Sequence, residues 1–339
     1  MFKGIRHIFL LLLSAAGLLT GCVIDSAPED TPQEIQFQVS TAAPTPATRV
    51  TTIDNNVELM IRDIRIDAYF NGTTTALFSN AMLRYYSFTS HWAFYNGGWI
   101  QYYWPIEGSI HATAGTVSSI DFVGYVPYNY NEQGYTALNI NDYSASNGPS
   151  FSATLPSSDG TFDETDQAPV REFMYAYVTN QTKDTNGGTV DMQFRHPFAL
   201  VNIYLKSAKL GTVINSVQLS GINTSGTFTY SSGWGLQATP ATLSKTVGKT
   251  VPGQLNFNAL IGGPYMVIPQ TLSGENNLTV NRTLPNEGPT PVSTTLAPTW
   301  LPGMIYNYYL DLGKDDGRIL VDVVIEPWQT HTVPTIDVK

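Results

Sequence analysis

The heptapeptide EIQFQVS at positions 34–40 decides how the rest of the chain is interpreted, because its apolar residues occupy every second position. This period of two predicts a β-strand with one buried face. The apolar residues are Ile35, Phe37 and Val39. Segments rich in proline, threonine and alanine flank the strand at 23–33 and 40–49, and such segments are typical of extended, solvated linkers. The sequence therefore predicts a short strand that linkers join to the rest of the chain.

A candidate cleavage site ends the second linker. Thr48, Arg49 and Val50 place one basic residue in an otherwise uncharged segment, and a trypsin-like protease can thread such a segment as an extended chain. Cleavage between Arg49 and Val50 leaves the strand held by noncovalent contacts. A strand that then leaves its sheet exposes a groove that another strand can fill. The alternative for Arg49 is a solvated linker charge without a function.

The chain opens with a hydrophobic leader that ends in LTGC at positions 19–22. Lys3 and Arg6 precede an apolar run of about a dozen residues, shorter than the roughly 20 that span a bilayer, which predicts a secretory signal peptide. The LTGC motif matches the bacterial lipobox, so we expect cleavage before Cys22 and attachment of diacylglycerol to its thiol. An ordinary signal peptide followed by a free cysteine is the alternative.

Composition is that of an extracellular all-β protein. Loss of Lys3 and Arg6 with the leader takes the formal net charge from −10 to −12, and this acidity argues against a nucleic-acid partner. Cys22 is the only cysteine in 339 residues, so we expect folding without disulfide bonds. Only 13% of residues are charged, and the abundance of Thr, Ser, Asn, Gly and Tyr favours strands over helices.

Alternating strands recur along the chain and predict its fold class. We expect strands at 57–70, 119–127, 173–178, 189–194, 199–205, 213–219, 226–230, 265–269, 277–280, 304–312 and 318–326. Turn signals such as Asn71-Gly72 separate them, and no segment keeps a helical period. The prediction is an all-β chain of two tandem transthyretin-like β-sandwich domains with few short helices.

The predicted domain organisation has four parts. Residues 1–21 are the lipoprotein signal peptide, and residues 22–49 are the lipid tether with the removable N-terminal strand. Residues 50–185 form the N-terminal β-sandwich domain, and residues 186–339 form the C-terminal one.

Residues 83–105 are the most aromatic part of the chain. Exposed aromatic faces stack on sugar rings, so one interpretation is a glycan-binding surface. The other is a wide sandwich core that uses the rings as filler. The rings are Tyr85, Tyr86, Phe88, Trp92, Phe94, Tyr95, Trp99, Tyr102, Tyr103 and Trp104.

No pattern of side chains predicts catalysis, a metal site or a cofactor. Acidic residues at 163–166 offer paired carboxylates in a loop-like stretch, and the oxygen spacing of 184–191 does not match an EF-hand. The histidines of the mature chain are scattered without ligand or triad spacing. They are His91, His111, His196 and His331. We therefore expect no enzymatic activity.

Five motifs, in order along nearly the whole chain, resemble the fimbrillin family, the type V pilins of Bacteroidia. Gly124 stands where that family usually has alanine. The motifs are Trp104-Pro105 with IDFVGYVP at 120–127, MQFRHPFALVNI at 192–203, MVIPQ at 266–270, GMIYNYYL at 303–310 and VIEPW at 324–328.

The resemblance implies a route of export and assembly. A lipid anchor on Cys22 would hold the chain at the surface of the cell outer membrane until an arginine-specific surface protease cuts after Arg49. Donor-strand exchange with other fimbrial subunits, copies of itself or related pilins, would then place it in a fimbrium. The donated segment is either 329–339 or 319–325, and a stalk, tip or anchor role stays open. The alternative function is a monomeric surface lipoprotein or tip adhesin that binds glycan or host protein through its aromatic-rich region.

Overall fold

The alternating sequence folds into strands throughout the residues that the computed structural model describes. These are residues 32–41, 63–106, 110–111, 115–116, 118–128, 138–155, 159–161, 173–237, 240–251, 258–272, 277–296, 299–313 and 318–327. Within them lie 23 strands and one 3₁₀ turn, Thr185–Gly188. No helix in these ranges has the length and hydrophobicity needed to cross a membrane. The all-β fold class is confirmed.

Eight of the first thirteen strands build two sheets that share one core. Six of them form a sheet in the order β12-β8-β2-β3-β4-β5, while β1 and β13 form a separate parallel pair. The apolar faces of the pair and the large sheet bury one cluster. The strands are β1 Gln36–Thr41, β2 Ile64–Phe70, β3 Ala76–Tyr86, β4 His91–Tyr95, β5 Trp99–Ile100, β6 Ile110–His111, β7 Gly115–Thr116, β8 Ile120–Val126, β9 Leu138–Ile140, β10 Ser150–Thr154, β11 Asp159–Thr161, β12 Met174–Gln181 and β13 Thr189–Phe194.

A second core lies between two further sheets, built from β11 and eight of the ten strands that follow β13. A five-stranded sheet, β11-β18-β15-β20-β21, and a four-stranded sheet, β19-β14-β22-β23, bury a common apolar cluster that includes Val217 and Tyr308. The strands are β14 Ala199–Ala208, β15 Val213–Asn223, β16 Ser225–Thr229, β17 Gly233–Leu236, β18 Pro240–Thr250, β19 Ala259–Val267, β20 Leu278–Thr283, β21 Val292–Thr294, β22 Met304–Leu312 and β23 Leu320–Pro327.

Strand β8 is buried on both faces, and all seven of its residues are inaccessible to solvent. Phe122 points into the cluster shared with β1 and β13. Val123 and Tyr125 point the other way, into a third cluster that the sheet β17-β16-β10-β9 covers. Phe198, which precedes β14, also lies in that cluster. β8 therefore joins the N-terminal core to residues from the C-terminal half.

A buried carboxylate fastens this third cluster to the six-stranded sheet. Asp121 accepts hydrogen bonds from the Asn71 side chain, from the Tyr143 hydroxyl at 2.8 Å and from the Asn180 backbone at 2.9 Å. The Tyr143 hydroxyl also lies 2.9 Å from that of Tyr177. Burial raises the pKa of Tyr143, so its hydroxyl keeps its proton and donates. The carboxylate is thus satisfied without a cation, as a buried charge requires.

The domain division at 185/186 stays a prediction. Strand β13 follows that point in the chain, yet Val190, Met192 and Phe194 pack in the N-terminal cluster with β1 and β8. The 3₁₀ turn Thr185–Gly188 therefore carries the chain from one sheet of the N-terminal core to the other. This packing favours a division after β13.

Gly124, the departure from the family motif, has a steric cause. A Cβ atom at this position would lie 2.6 Å from Cζ of Phe194 and 2.8 Å from Cε of Met192. Both distances are shorter than carbon atoms tolerate, so an alanine would displace the side chains of β13. Glycine therefore allows β13 to pack closely on β8, and β13 is the strand that pairs with β1.

Candidate functional site

The N-terminal strand β1 is part of the core. Ile35, Phe37 and Val39 are 3%, 7% and 5% exposed, while Gln36 and Gln38 face solvent. The alternation in the sequence is therefore the alternation of buried and exposed side chains in the structure. Burying the three apolar residues stabilises the packed position of β1 by roughly 5–9 kcal/mol, at about 1.5–3 kcal/mol for each side chain.

β1 lies against β13 and the core rings Phe94 and Phe122, and we call this binding groove the seat of β1. Phe37 lies at its centre. Its ring meets Phe94 of β4 edge-on with centroids 5.3 Å apart, and Phe122 of β8 edge-on at 5.7 Å. Trp104 contacts Phe122 from another side at 5.7 Å. Edge-to-face pairs of this kind contribute about 0.5–1.5 kcal/mol each beyond the burial of their area. Phe78 also contacts both rings, at 5.2 and 6.4 Å, so removal of β1 would leave Phe94 and Phe122 with one shared neighbour in place of two.

Backbone pairing holds β1 along one edge and at its start. All six of its residues pair in parallel with β13, from Gln36 opposite Thr189 to Thr41 opposite Phe194. On the other edge, the Ile35 N–H donates to the Tyr102 carbonyl at 2.8 Å, and this pairing stops before β1 begins. Most of the strand is thus held through one neighbour and the core beneath it.

Polar side chains add contacts around the start of the strand. The Gln33 amide donates to the Gly187 carbonyl at 2.9 Å, and the Trp104 indole donates to the Gly188 carbonyl at 3.1 Å. An exposed hydrogen bond such as that of Gln33 contributes about 1 kcal/mol or less. Apolar burial and the ladder to β13 therefore dominate the stability of the seated strand.

The predicted site residues divide into two groups. Ile35, Phe37 and Val39 lie together in the N-terminal core, whereas Cys22, Arg49 and Val50 lie outside the described residues. Lipid attachment and proteolytic processing therefore stay predictions.

Comparison with known proteins agrees with the motifs. A family model described as fimbrillin-like matches residues 48–328. This chain belongs to the fimbrillin-like family. It is accordingly a fimbrial adhesion protein of the cell surface or fimbrium, and the expectation that it is not an enzyme is confirmed by its family.

One solved structure shares the fold of this fimbrillin-like chain at low sequence identity, and a second shows a weaker similarity. A fimbrial protein from Bacteroides vulgatus is 14% identical, with a TM-score of 0.56 over 87% of this chain and 99% of that one. The tip fimbrial protein Mfa3 from Porphyromonas gingivalis is 10% identical, with a TM-score of 0.35 over 79% of this chain and 94% of that one. No curated protein sequence matches significantly.

The aromatic-rich stretch at 83–105 contains both core and surface rings. Trp92, Phe94 and Trp104 are buried, as the core interpretation expects. On the opposite face of the sheet, Tyr86 and Trp99 meet edge-on at 4.8 Å, and Trp99 is exposed. The stretch therefore fills the core and also leaves an exposed aromatic group on β3 and β5.

The histidines and acidic residues considered for catalysis or metal binding do not converge on one site among the described residues. In the described ranges, no group of three or more His, Cys, Asp or Glu side chains is placed to hold a metal ion. His91 is exposed beside Thr89, and His196 is buried just before β14. The acidic stretch 163–166 and His331 lie outside the described residues.

The sequence does not reveal that β23 is an edge strand, which no other strand of the described residues covers. Val323 and Ile325 lie opposite Tyr308 and Tyr306 of β22, whose side chains are buried in the C-terminal core. Yet Val323 and Ile325 are themselves 43% and 47% exposed. An edge strand with exposed apolar side chains is a template for pairing with another chain. The period of two predicts the strand but cannot show that no layer covers it.

Substitution of Phe37 tests how strongly the core depends on β1. Phe37→Ala should lower the free energy of unfolding of the uncleaved chain by about 3–5 kcal/mol, because it opens a cavity against Phe94 and Phe122. Gln38→Ala, on the exposed face of the same strand, should change it by less than about 0.5 kcal/mol. Urea unfolding followed by tryptophan fluorescence measures both. Equal effects of the two variants would show that the seat of β1 is not a tight core.

Proposed function

We propose that this chain is a structural fimbrial subunit that is exported as a lipoprotein, cut after Arg49 and polymerised by donor-strand exchange. The observation that carries the proposal is β1, a strand that completes an apolar core although a linker separates it from the rest of that core. The family match begins at residue 48. The strand therefore lies outside the shared part of the chain, and Arg49 lies at its border.

Cleavage after Arg49 changes how β1 is held. Before cleavage, the linker keeps the strand at high effective concentration beside its seat. Afterwards only the burial of Ile35, Phe37 and Val39 and the pairing with β13 retain it. Once the strand dissociates, Phe94, Phe122 and one edge of β13 are uncovered. A strand from a second subunit that presents apolar side chains at the same spacing can then take its place.

Strand β23 has the properties of the donor. Val321, Val323 and Ile325 repeat the spacing of Ile35, Phe37 and Val39, and all three point to one face. Val323 and Ile325 are exposed, whereas Val321 is partly buried against the C-terminal core. Transfer of this face into a groove would remove the apolar surface of Val323 and Ile325 from water. Because donor and groove lie at different places on one subunit, the contact is head-to-tail and builds a filament. These features favour the region 319–325 over 329–339 as the donated segment.

The lipid on Cys22 would hold the precursor at the outer membrane before this cleavage. Since Cys22 and β1 both precede Arg49, one cut after Arg49 would release the subunit from its lipid and from its own strand together. The partners in this scheme are other fimbrial subunits and an arginine-specific surface protease. The alternative, a monomeric surface lipoprotein or tip adhesin that binds glycan or host protein, draws support from the exposed aromatic group around Trp99.

Lipidation is tested at the cysteine itself. Cys22→Ala should remove the diacylglycerol acceptor, so unprocessed precursor should accumulate and surface display should be lost. Surface biotinylation of intact cells, with Thr20→Ala as the control in the same motif, measures the effect. Normal amounts of Cys22→Ala protein at the surface would contradict the lipoprotein route.

Cleavage is tested at the linker arginine. Arg49→Ala should leave folding and surface display intact but abolish the SDS-resistant ladder that strand-joined subunits form in unboiled gels. Thr48→Ala keeps the basic residue in the same linker and should assemble normally. If Arg49→Ala assembles like the wild type, or if cleaved subunits stay monomeric when mixed with their partner subunits, the strand-exchange mechanism is wrong and the monomeric adhesin is favoured.

The donor is tested by placing one charge on either face of β23. Val323→Asp puts a carboxylate on the face that would enter the groove, so it should greatly reduce the ladder while leaving cleavage and thermal stability nearly unchanged. Val324→Asp makes the same substitution at a residue that is 49% exposed on the opposite face, and it should retain assembly. Equal ladders from the two variants would exclude β23 and point to 329–339.

A further inference from the structure

A cleft of about 230 Å³ lies between β12 and the outer face of β13. β12 ends the six-stranded sheet, so among the described strands none runs beside its outer edge along most of its length. The cleft is on the opposite side of β13 from the seat of β1, because Val190, Met192 and Phe194 point into that core and the alternate residues point out. Its polar and aromatic lining residues are Tyr175, Tyr177, Tyr230, Asp191, Gln193 and Arg195. We call it the tyrosine cleft.

The rings of the tyrosine cleft are held in place by their neighbours. Tyr177 and Tyr230 meet edge-on with centroids 4.8 Å apart. Gly148 lies against both, and a Cβ atom there would be 3.0 Å from Cε1 of Tyr177 and 3.1 Å from Cβ of Tyr230. The Tyr177 hydroxyl is bonded to that of Tyr143 at 2.9 Å. A ligand would therefore meet rings that are already ordered, which lowers the entropy lost on binding.

Polar side chains surround these rings, and several of their donor and acceptor atoms make no hydrogen bond within the described residues. Within the described residues, no ion pair joins Asp191 to Arg195, and the side chains of Arg195 and Tyr230 make no hydrogen bond. Asp191 accepts one bond, from the Gln193 amide at 3.3 Å. Burial raises the pKa of Tyr175 to about 12, so its hydroxyl stays protonated at neutral pH. The cleft thus offers both donors and a carboxylate acceptor around an aromatic wall.

The closed end of the cleft limits what can bind. Tyr175 and Arg195 exchange backbone hydrogen bonds at 3.0 and 2.9 Å, so a peptide strand cannot extend along β12 past this point. The volume is below the roughly 300–1,000 Å³ of pockets for drug-sized ligands. A compact ligand with one apolar face and several hydroxyl groups fits these limits, and a single sugar ring has that chemistry.

We propose that the tyrosine cleft binds one neutral pyranose ring. The C–H face of the sugar would stack on Tyr230, while Arg195 and Gln193 donate to its hydroxyl oxygens and Asp191 accepts from its hydroxyl groups. The lining carries one carboxylate and one guanidinium, and the acidity of the whole chain, −10 in formal charge, disfavours an acidic sugar. This binding does not depend on strand exchange, because the cleft and the seat of β1 use opposite faces of β13.

Saturation-transfer NMR on the full chain tests the site. The protein is kept in a detergent without a sugar headgroup, and the probes are the methyl pyranosides of glucose, galactose, mannose and N-acetylglucosamine, with N-acetylneuraminic acid as the acidic comparison. At least one neutral probe should bind with a millimolar dissociation constant, more tightly than the acidic one. Tyr230→Ala and Arg195→Ala should each weaken it about tenfold or more, since a stacked ring or a charged donor is lost.

The controls separate this site from the exposed aromatic group and from a folding defect. Phe88→Ala removes a ring that is 88% exposed outside the cleft, and it should bind like the wild type. Gln193→Ala, at an exposed position, should weaken binding without lowering the thermal unfolding midpoint. The proposal is overturned if no neutral probe binds, if the acidic sugar binds more tightly, or if Phe88→Ala weakens binding as much as Tyr230→Ala. Assembly of Tyr230→Ala, measured by the SDS-resistant ladder, reports separately on strand exchange.

Discussion

The packing of Phe37 between Phe94 and Phe122 is the interaction on which the N-terminal core depends. β1 supplies this ring from a segment that pairs with β13, a strand about 150 residues further along the chain. Parallel strands need a long connection rather than a tight turn, so nothing local fixes β1 beside its neighbour. What holds β1 is the spacing of its buried side chains and its pairing with β13.

The arrangement around β8 limits what the proposed loss of β1 would uncover. One face of β8 lies under the β1–β13 pair, but its other face is covered by the sheet that contains Phe151 and Phe228. The carboxylate of Asp121, bound by Tyr143 and Asn180, lies on that second side. Loss of β1 would therefore remove one strand of the two-stranded layer, while β13 still packs on β8 and β8 keeps its neighbours β2 and β12 in the sheet.

Periodicity predicts elements and faces, whereas it cannot predict their neighbours. The strand expected at 189–194 is β13, and the one expected at 119–127 contains β8. The alternation of Ile35, Phe37 and Val39 correctly identifies their buried face. The sequence does not predict that β1 pairs with β13 or that β23 is uncovered, because a period of two does not specify which strands are neighbours or their register across a long separation. The tyrosine cleft is equally hidden, since three distant segments build it.

Strand β13 links assembly and recognition in one element. Its inner face holds the side chains that pack with Phe37, and its outer face carries Asp191, Gln193 and Arg195. A donor strand that replaces β1 in the same register preserves the pairing of β13 and hence the cleft. Each subunit of a filament would then display one weak sugar site at a regular spacing. Binding to a surface with many identical sugars gains avidity by factors of about 10²–10⁴ without any new contact. A weak site on each subunit would therefore be enough for a filament to bind such a surface tightly.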